Sequence, residues 1–347
     1  MARWWIGELS NPLIIMEKYL FSCDWGTSSF RLRLVDTDTG RVLGEALSPN
    51  GVAATFDAWT VAHNQTGIER AAYFCQFLSQ QIARFPATIS ISVNQISVVV
   101  SGMASSSIGL AELPYASLPF ALDGTGARTQ WFEPTPDFDH RLLLISGICS
   151  PHDVMRGEET QLVGLGDLLV ESGQYIVIFP GTHAKHLYVE DGKLVDFETF
   201  MTGELFGVLT RHTILKESTD TADLAALVHC EGDSFRRGVL ASGSANLLQS
   251  LFRVRTNQLF GHLTQPQNAL YLSGLLIGTE LRGLQRQRGW QLMLCCDTNL
   301  VDFYEQAISI LGLAKQTTKL DTDTVRQSVT LGHLKIREHQ LALIEAA

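Results

Sequence analysis

The sequence predicts an α/β protein made of two related halves that face one cleft, and three features predict it. A Gly-Thr turn occurs twice, at Gly26-Thr27 and at Gly181-Thr182, about half the chain apart. Each turn sits between a short apolar run and an alternating one. In the first copy Phe21-Ser22-Cys23-Asp24-Trp25 leads through the turn to Arg31-Leu32-Arg33-Leu34; in the second, Tyr175-Ile176-Val177-Ile178-Phe179-Pro180 leads to 183–189. Each copy then carries a polar turn, Asp38-Thr39-Gly40 or Asp191-Gly192, and a third short strand pattern. Period-two alternation interrupted by Gly and Asp turns marks a β-turn-β-turn-β unit. A repeat of this length is the size of a domain and no solenoid period.

In the first half, residues 56–85 carry Ala71, Phe74, Cys75, Leu78 and Ile82 at helical spacing. A buried-strand run at 96–100 enters the small-residue turn 101–107, and 114–139, rich in Pro, Gly and Asp, reads as an excursion from the core. A strand over 141–145 and a helix over 158–171 complete an outline of β-β-β-α-β-α-β-α. The second half opens at Gln174 with the same three strands. Helical patterns follow over 203–215, over 223–251 with a break, and over 267–286. A buried strand over 291–296, an amphipathic helix over 299–311, a short strand over 316–320 and a last helix over 323–333 end the chain. The expected domains are 17–172 and 173–347. Residues 1–16 read as an extension that the core does not need, since Glu8 and Asn11-Pro12 break the apolar stretch that a signal peptide requires. Two halves in this order, each with a glycine turn after its first strand, describe the duplicated ribonuclease-H-like fold of actin and hexokinase.

Composition narrows the partners. A chain of 347 residues can bury two sizeable cores, and 45% hydrophobic with 18% charged residues is ordinary for a globular protein. A net charge of −10 with no Lys/Arg block argues against nucleic acid and anionic membrane as partners. No stretch approaches the roughly 18 apolar residues of a membrane helix. The six cysteines lie in apolar runs without metal or disulfide spacing, as expected in a reducing cytoplasm. A small molecule is the expected ligand, and a homo-oligomer is left open.

Asp24-Trp25-Gly26-Thr27-Ser28-Ser29 places a carboxylate at a strand end beside a glycine turn with three hydroxyls. Glycine lets backbone approach a ligand closely, and successive N–H groups in such a turn form a concave anion site. The carboxylate can hold hydrated Mg²⁺ while the turn binds phosphate oxygens. An ordinary hairpin with an Asx-type turn is the bland alternative. The second turn at Gly181-Thr182 weighs against it, because the phosphates of a nucleotide need both sides. Met155-Arg156-Gly157-Glu158-Glu159-Thr160-Gln161 is the densest polar cluster of the chain. Carboxylates at a helix start are favoured by the dipole, yet the flanking Arg156 and Gln161 suggest more than capping. One glutamate could accept a proton from a hydroxyl nucleophile, and the arginine could hold a substrate carboxylate. Met201-Thr202-Gly203-Glu204 opens the next helix with Thr202 as N-cap and a first-turn acid. Of His183, Lys185 and His186, on the strand after the second turn, His183 beside the glycine is the functional candidate; His186 reads as structural. There is no G-x-S-x-G elbow, P-loop or H-E-x-x-H, and Cys295-Cys296 reads as packing.

These strings together resemble the 2-dehydro-3-deoxygalactonokinase family: Asp24-Trp25-Gly26-Thr27-Ser28, the run from Val154 to Leu162, Pro180-Gly181-Thr182-His183, Met201-Thr202-Gly203-Glu204-Leu205 and Leu272-Ser273-Gly274-Leu275-Leu276-Ile277-Gly278. Their order covers about 17–315. The first turn is shared by all sugar kinases; the run from Met155 to Gln161 and the Met201–Glu204 string are much more particular. The resemblance implies transfer of the ATP γ-phosphate to the 6-hydroxyl of 2-dehydro-3-deoxy-D-galactonate. It implies Asp24 on Mg²⁺, and Gly26, Thr27, Ser28, Gly181, Thr182, His183 and Gly274 on the nucleotide phosphates. Arg31, Arg156, Glu158 and Glu159 would face the sugar acid, with Gln161, Thr202 and Glu204 also on the substrate and Glu158 as the base.

Two stretches depart from the family pattern. A glycine-containing turn before the helix that covers adenine is replaced by Cys296-Asp297-Thr298-Asn299, with Asp297 in the glycine's place. The C-terminal Gly-Asp-Thr-Ala-Phe-Gln-Ala-Gly type of ending reads Asp321-Thr322-Asp323-Thr324-Val325-Arg326-Gln327-Ser328. Both changes are expected on the nucleotide side. The rival reading is a sugar-acid-binding sensor that kept the cleft and lost efficient transfer. A hydrolase of phosphorylated substrates on the same fold finds no support in the sugar-side strings.

Overall fold

The computed structural model describes residues 17–85, 91–169, 172–230, 232–244 and 246–346; the extension read at 1–16 lies outside the described residues. The first half begins with β1 (Tyr19–Trp25), β2 (Phe30–Asp36) and β3 (Val42–Ser48), followed by α1 (Val52–Thr66), α2 (Arg70–Ile82) and β4 (Val98–Gly102). Short strands β5 (Ala116–Ser117), β6 (Phe120–Ala121) and β7 (Thr129–Phe132) precede β8 (Leu142–Ile145), β9 (Ile148–Cys149), β10 (Val154–Met155) and α3 (Glu158–Leu165). The second half runs β11 (Gln174–Phe179), β12 (Ala184–Glu190), β13 (Lys193–Phe200), then α4 (Thr202–His212), α5 (Leu224–Cys230), α6 (Gly232–Ala241), α7 (Leu247–Leu259) and α8 (Gln265–Leu281). It ends with β14 (Gln291–Leu294), α9 (Val301–Ile310), β15 (Thr317–Lys319) and α10 (Thr322–Glu345).

The duplication is visible in the pairing. The first sheet is ordered β3-β2-β1-β4-β8-β7 and the second β15-β14-β11-β12-β13-β6. In each, three antiparallel strands are followed by two that run parallel to the first. That is the ribonuclease-H-like topology twice, the actin and hexokinase type of fold. Both sheets are buried on both faces, so their central strands alternate between two cores rather than between core and water. On β1, Leu20 joins the core between the halves while Phe21, Cys23 and Trp25 pack outward under α2. On β11, Val177 and Phe179 face inward and Ile176 and Ile178 pack under α6, α8 and α9.

Helices α3 and α10 lie between the sheets. A Cβ on Gly164 of α3 would stand 1.8 Å from the Ser328 carbonyl oxygen, and one on Gly332 of α10 would stand 2.0 Å from that of Thr160. The helices therefore cross backbone to backbone. The last helix is docked on the first half by polar contacts too: Ser22 Oγ lies 2.7 Å from His333 Nδ1, Arg337 Nη2 donates to Glu17 Oε2 at 2.9 Å, and Arg33 Nη1 donates to the Arg326 carbonyl.

Several elements differ from the sequence reading. The helical stretch 56–85 is two helices, because Gly67 adopts φ 72° and caps α1 in the left-handed region. The excursion 114–139 contains strands: β7 closes the edge of the first sheet, and β6 pairs with Leu194 and Lys193 at the edge of the second. Strands of two to four residues leave little periodicity to read. No helix follows β4; the small-residue turn forms a single 3₁₀ turn over Met103–Ser105. The last helix runs for 24 residues, well past 333.

Buried His333 makes this docking pH-dependent. Burial, with the Arg33 charge adding, pushes the imidazole down from 6.5 to about 3. Unfolded chains therefore bind more protons than folded ones between those values, so stability is complete above pH 6.5 and is lost as pH falls, by up to about 1.4 kcal/mol per unit. His333→Asn, which keeps a partner for Ser22, should show a flatter dependence of melting temperature on pH between 6.5 and 4 than the wild type. Parallel curves would remove His333 from the acid response.

Candidate functional site

Each glycine turn is held in the same way by the helix that follows. Gly26 N–H closes the first turn on the Ser29 carbonyl at 2.9 Å, and the first amides of α1, Val52 and Ala53, donate to the Gly26 and Thr27 carbonyls at 2.9 and 3.1 Å. A Cβ on Gly51 would lie 2.4 Å from the Thr27 carbonyl oxygen. In the second half Glu204 N–H donates to the Thr182 carbonyl at 3.0 Å, and a Cβ on Gly203 would lie 2.6 Å from the Gly181 carbonyl oxygen. A glycine directly after the third strand thus lets a helix N-terminus close on the turn in both halves. Thr27, Ser28 and Thr182 stay exposed. The sequence reading missed Gly51; its signal was a position matching Gly203.

Asp24 sits at the end of β1, opposite Arg31 on β2 and Ser101 on β4. Burial pushes its carboxyl above the ordinary carboxylate value; Arg31 opposes this, and the charges of Glu158 and Asp297 add to it, with Arg33 opposing. Four predicted or flagged residues, Asp24, Arg31, Glu158 and Asp297, therefore share one electrostatic field. Arg31 itself pairs with Glu45 at 3.8 Å.

The run after β10 delivers Arg156 and Glu158 to the same place. Arg156 stacks on the Tyr115 ring at 4.0 Å, and its Nη1 and Nη2 donate to Ser105 Oγ at 2.7 Å and the Leu113 carbonyl at 3.3 Å. Glu158 Oε1 pairs with Lys185 Nζ at 3.0 Å. Among the described residues, three buried polar atoms here find no partner: Arg156 Nε, Glu158 Oε2 and Ser101 Oγ. Because burying unpaired polar groups costs free energy, this cluster has the character of a site that a polar ligand completes.

Glu159 is placed differently from its neighbour. It is 1% exposed, its Oε2 accepts from Gly157 N–H at 2.7 Å and its Oε1 from the Thr160 hydroxyl at 3.1 Å. It turns into the start of α3 rather than toward the cleft. Gln161 is half-buried one turn on, and its N–H bonds the Gly157 carbonyl.

Beside the second turn lies a cavity of about 570 Å³. Gly181, Thr202 and Gly203 form the end at the second glycine turn; Phe206, Leu276, Ile277, Leu300 and Phe303 are apolar walls, and Ser273, Asn299 and Tyr304 are among its polar ones. Beneath it, buried Glu280 accepts from Thr202 Oγ1 at 2.5 Å and Tyr304 OH at 2.8 Å and faces His186 Nε2 at 3.2 Å. Thr202 is accordingly not an N-cap: Met201 holds that position, and the hydroxyl points inward to Glu280. Glu204 pairs with His183 at 2.5 Å at the rim. Thr202 and Glu204 thus stand beside the second turn. Gly274 faces α6, where a Cβ would lie 2.2 Å from the Phe235 carbonyl oxygen, so its place is helix packing behind the cavity wall.

Of the two departing stretches, only 296–299 reaches the cavity, through Asn299. Residues 321–328 start α10, with Asp321 Oδ1 capping Thr324 N–H at 2.9 Å, and so lie between the halves rather than on the cavity. The two stretches meet where Arg326 Nε approaches Asp297 Oδ2 at 3.6 Å.

The arrangement suits charge-neutralising group transfer: two glycine turns backed by helix N-termini, an apolar cavity at one and a carboxylate-lined polar cluster at the other. Among the described residues no three His, Cys, Asp or Glu side chains gather as an all-protein metal cage. Asp24 nevertheless fits Mg²⁺, which keeps several waters and needs one or two carboxylates, because its carboxylate stands at the end of β1 just before the first glycine turn.

The chain matches the 2-keto-3-deoxy-galactonokinase family over residues 24–330. It is 32% identical over 238 residues to a 2-dehydro-3-deoxygalactonokinase of Escherichia coli (strain K12), covering 67% of this chain and 76% of that protein. A Rhizobium meliloti (strain 1021) protein named "Probable 2-dehydro-3-deoxygalactonokinase DgoK1" is 35% identical over 310 residues, 87% of this chain and 93% of that one. A crystal structure from Sinorhizobium meliloti, of a protein assigned as a 2-dehydro-3-deoxygalactonokinase, superposes with a TM-score of 0.72 at 30% identity, covering 91% of this chain and 95% of its own.

Glu159 supplies a pH test of this helix start. Burial, and then the neighbouring Glu158 charge, push its carboxyl from 4.5 up to about 8. Between those values the folded state holds the extra proton, so stability falls as pH rises. Glu159→Gln should gain stability relative to wild type progressively from pH 5 to 8, by up to about 1.4 kcal/mol per unit. A constant offset in chemical denaturation across that range would show that Glu159 does not titrate there.

Proposed function

The chain belongs to the 2-keto-3-deoxy-galactonokinase family, and from that premise we propose that it transfers the γ-phosphate of ATP to the 6-hydroxyl of 2-dehydro-3-deoxy-D-galactonate. The observation that carries the placement of the sugar acid is the trio of unpartnered buried atoms, Ser101 Oγ, Arg156 Nε and Glu158 Oε2. A polyhydroxy acid offers donors and acceptors for all three, whereas an apolar ligand would leave them unpaired. The cavity beside Gly181 would take the nucleoside, apolar walls against the base and polar side chains at the edges.

Phosphoryl transfer asks a protein mainly to position groups and neutralise charge. In this reading Thr27, Ser28 and Thr182 face phosphate oxygens from two sides, and Asp24 would hold Mg²⁺ through its water. That ion would supply positive charge between the phosphates. Glu158 Oε2 accepts the proton of the acceptor hydroxyl. Arg156 brings its charge and its Nε–H to the sugar acid, while Nη1 and Nη2 each give one hydrogen, to Ser105 and to Leu113. Glu159, turned into the helix, leaves the base role to Glu158. Among the described residues no helix is long and apolar enough to cross a membrane, and a cytoplasmic place belongs to the same proposal.

Purified protein given ATP, Mg²⁺ and the two C4 epimers of the 3-deoxy-2-keto acid should release ADP only when acceptor is present. Absence of sugar-acid phosphate with either epimer would leave the sensor reading standing. Arg156→Ala should raise KM for the sugar acid about 10-fold or more and leave KM for ATP near normal, while Glu158→Gln should lower kcat by about 10²-fold or more with little change in either KM. A change confined to ATP in the arginine variant would move the cluster to the nucleotide side.

A bulky side chain in the cavity should separate the two ligands. Ser273→Trp is expected to weaken ATP at least about 10-fold while KM for the sugar acid stays within about 3-fold. Unaltered nucleotide binding in that variant, followed by fluorescence titration, would place the nucleoside elsewhere.

A further inference from the structure

Lys185 lies on β12 just past the Gly181-Thr182 turn, and strand alternation puts it on the face of Leu187 and Val189, which pack into the core between the halves. His186 and Tyr188 point the other way, toward Glu280 and Trp290. An apolar inward face therefore ends in an ammonium. Its side chain is 7% exposed, and Nζ meets two oxygens: the His183 carbonyl at 3.5 Å and, across from the first half, Glu158 Oε1 at 3.0 Å. A buried ion pair is seldom retained for stability, since a well-packed apolar replacement is often as good. The pair also leaves one carboxylate oxygen, Oε2, buried without a partner. Both facts favour a role in the chemistry.

We propose that Lys185 is a positioning residue for phosphoryl transfer. By holding Oε1 it fixes the Glu158 carboxylate with Oε2 free for the acceptor. Because the lysine comes from the half with the nucleotide turn and the glutamate from the half with the sugar-acid cluster, the base is aligned only when the halves stand together. In the step it supports, the acceptor O–H proton passes to Glu158 Oε2 as the acceptor's own hydroxyl oxygen bonds to the γ-phosphorus. The bond from phosphorus to the bridging oxygen breaks and ADP leaves, so no further reactant is required. The inference rests on the Glu158 role proposed above.

The test compares Lys185→Met, Lys185→Arg, Glu158→Gln and the Met/Gln double variant in the full chain, with kcat and both KM values measured and folding followed by circular dichroism. Lys185→Met should lower kcat by about 10²-fold with each KM within about 3-fold, and Lys185→Arg should recover about 10-fold of that loss. The double variant should be no slower than Glu158→Gln alone, because one residue acts through the other. Should Lys185→Met not fold, Lys185→Gln, which keeps an amide donor, carries the same comparison. A normal kcat in the lysine variant while Glu158→Gln is slow would overturn the positioning role alone. So would multiplicative losses in the double variant, or a loss confined to KM for ATP. A normal kcat in Glu158→Gln would overturn the base assignment and this inference together.

Discussion

The crossing of α3 on α10 is the constraint from which the site is hung. Gly164 and Gly332 let the two backbones meet, with a would-be Cβ at each only 1.8 or 2.0 Å from a carbonyl oxygen of the other helix. The start of α3 carries Arg156, Gly157 and Glu158, and α10 carries the contacts to β1 and β2. A side chain at either glycine would therefore do more than loosen a core. It would shift the start of α3 against β12 and lengthen the gap between Glu158 and Lys185. Helix packing thus bears on the distance between Lys185 and Glu158.

Around that crossing the halves use one device twice. A glycine after the third strand allows a helix N-terminus to donate its first amides to a turn, at Gly51 with Gly26-Thr27 and at Gly203 with Gly181-Thr182. The turns are thus held by backbone alone. Thr27, Ser28 and Thr182 stay exposed, and positive helix ends lie behind both turns.

What could be read in the sequence was what short-range chemistry writes there. Alternation and turn residues marked three strands in each half, and element order marked the fold, since these signals repeat within a few residues. Asp24, the two turns and the run from Arg156 to Glu158 were legible because each places a reactive type beside a glycine. The partners were not. Lys185 stood in plain view on an alternating strand, but nothing local says that an ammonium on the inward face meets a carboxylate of the other half. Thr202 looked like a cap because capping is the commonest use of threonine before a helix; Glu280, far along the chain, drew its hydroxyl inward instead. Gly274 looked like a ligand glycine for want of the α6 backbone it packs on. Asp297 and Arg326, two separate departures from the family pattern, meet at 3.6 Å, so the charge added near Asp24 arrived with a cation beside it.

The strand β6 has a consequence of a different kind. It belongs to the first half by sequence, yet it lies on the outer edge of the second sheet, pairing Phe120 with Leu194; conversely α10, the last 24-residue helix, fills the space against the first sheet. Each half therefore finishes the other. The inner face of the first half and the apolar side of α3 are covered only when α10 has docked. Such long-range closure is slow and leaves sticky surface exposed in the meantime. Each half thus depends on a segment of the other to cover a sheet edge or an inner face.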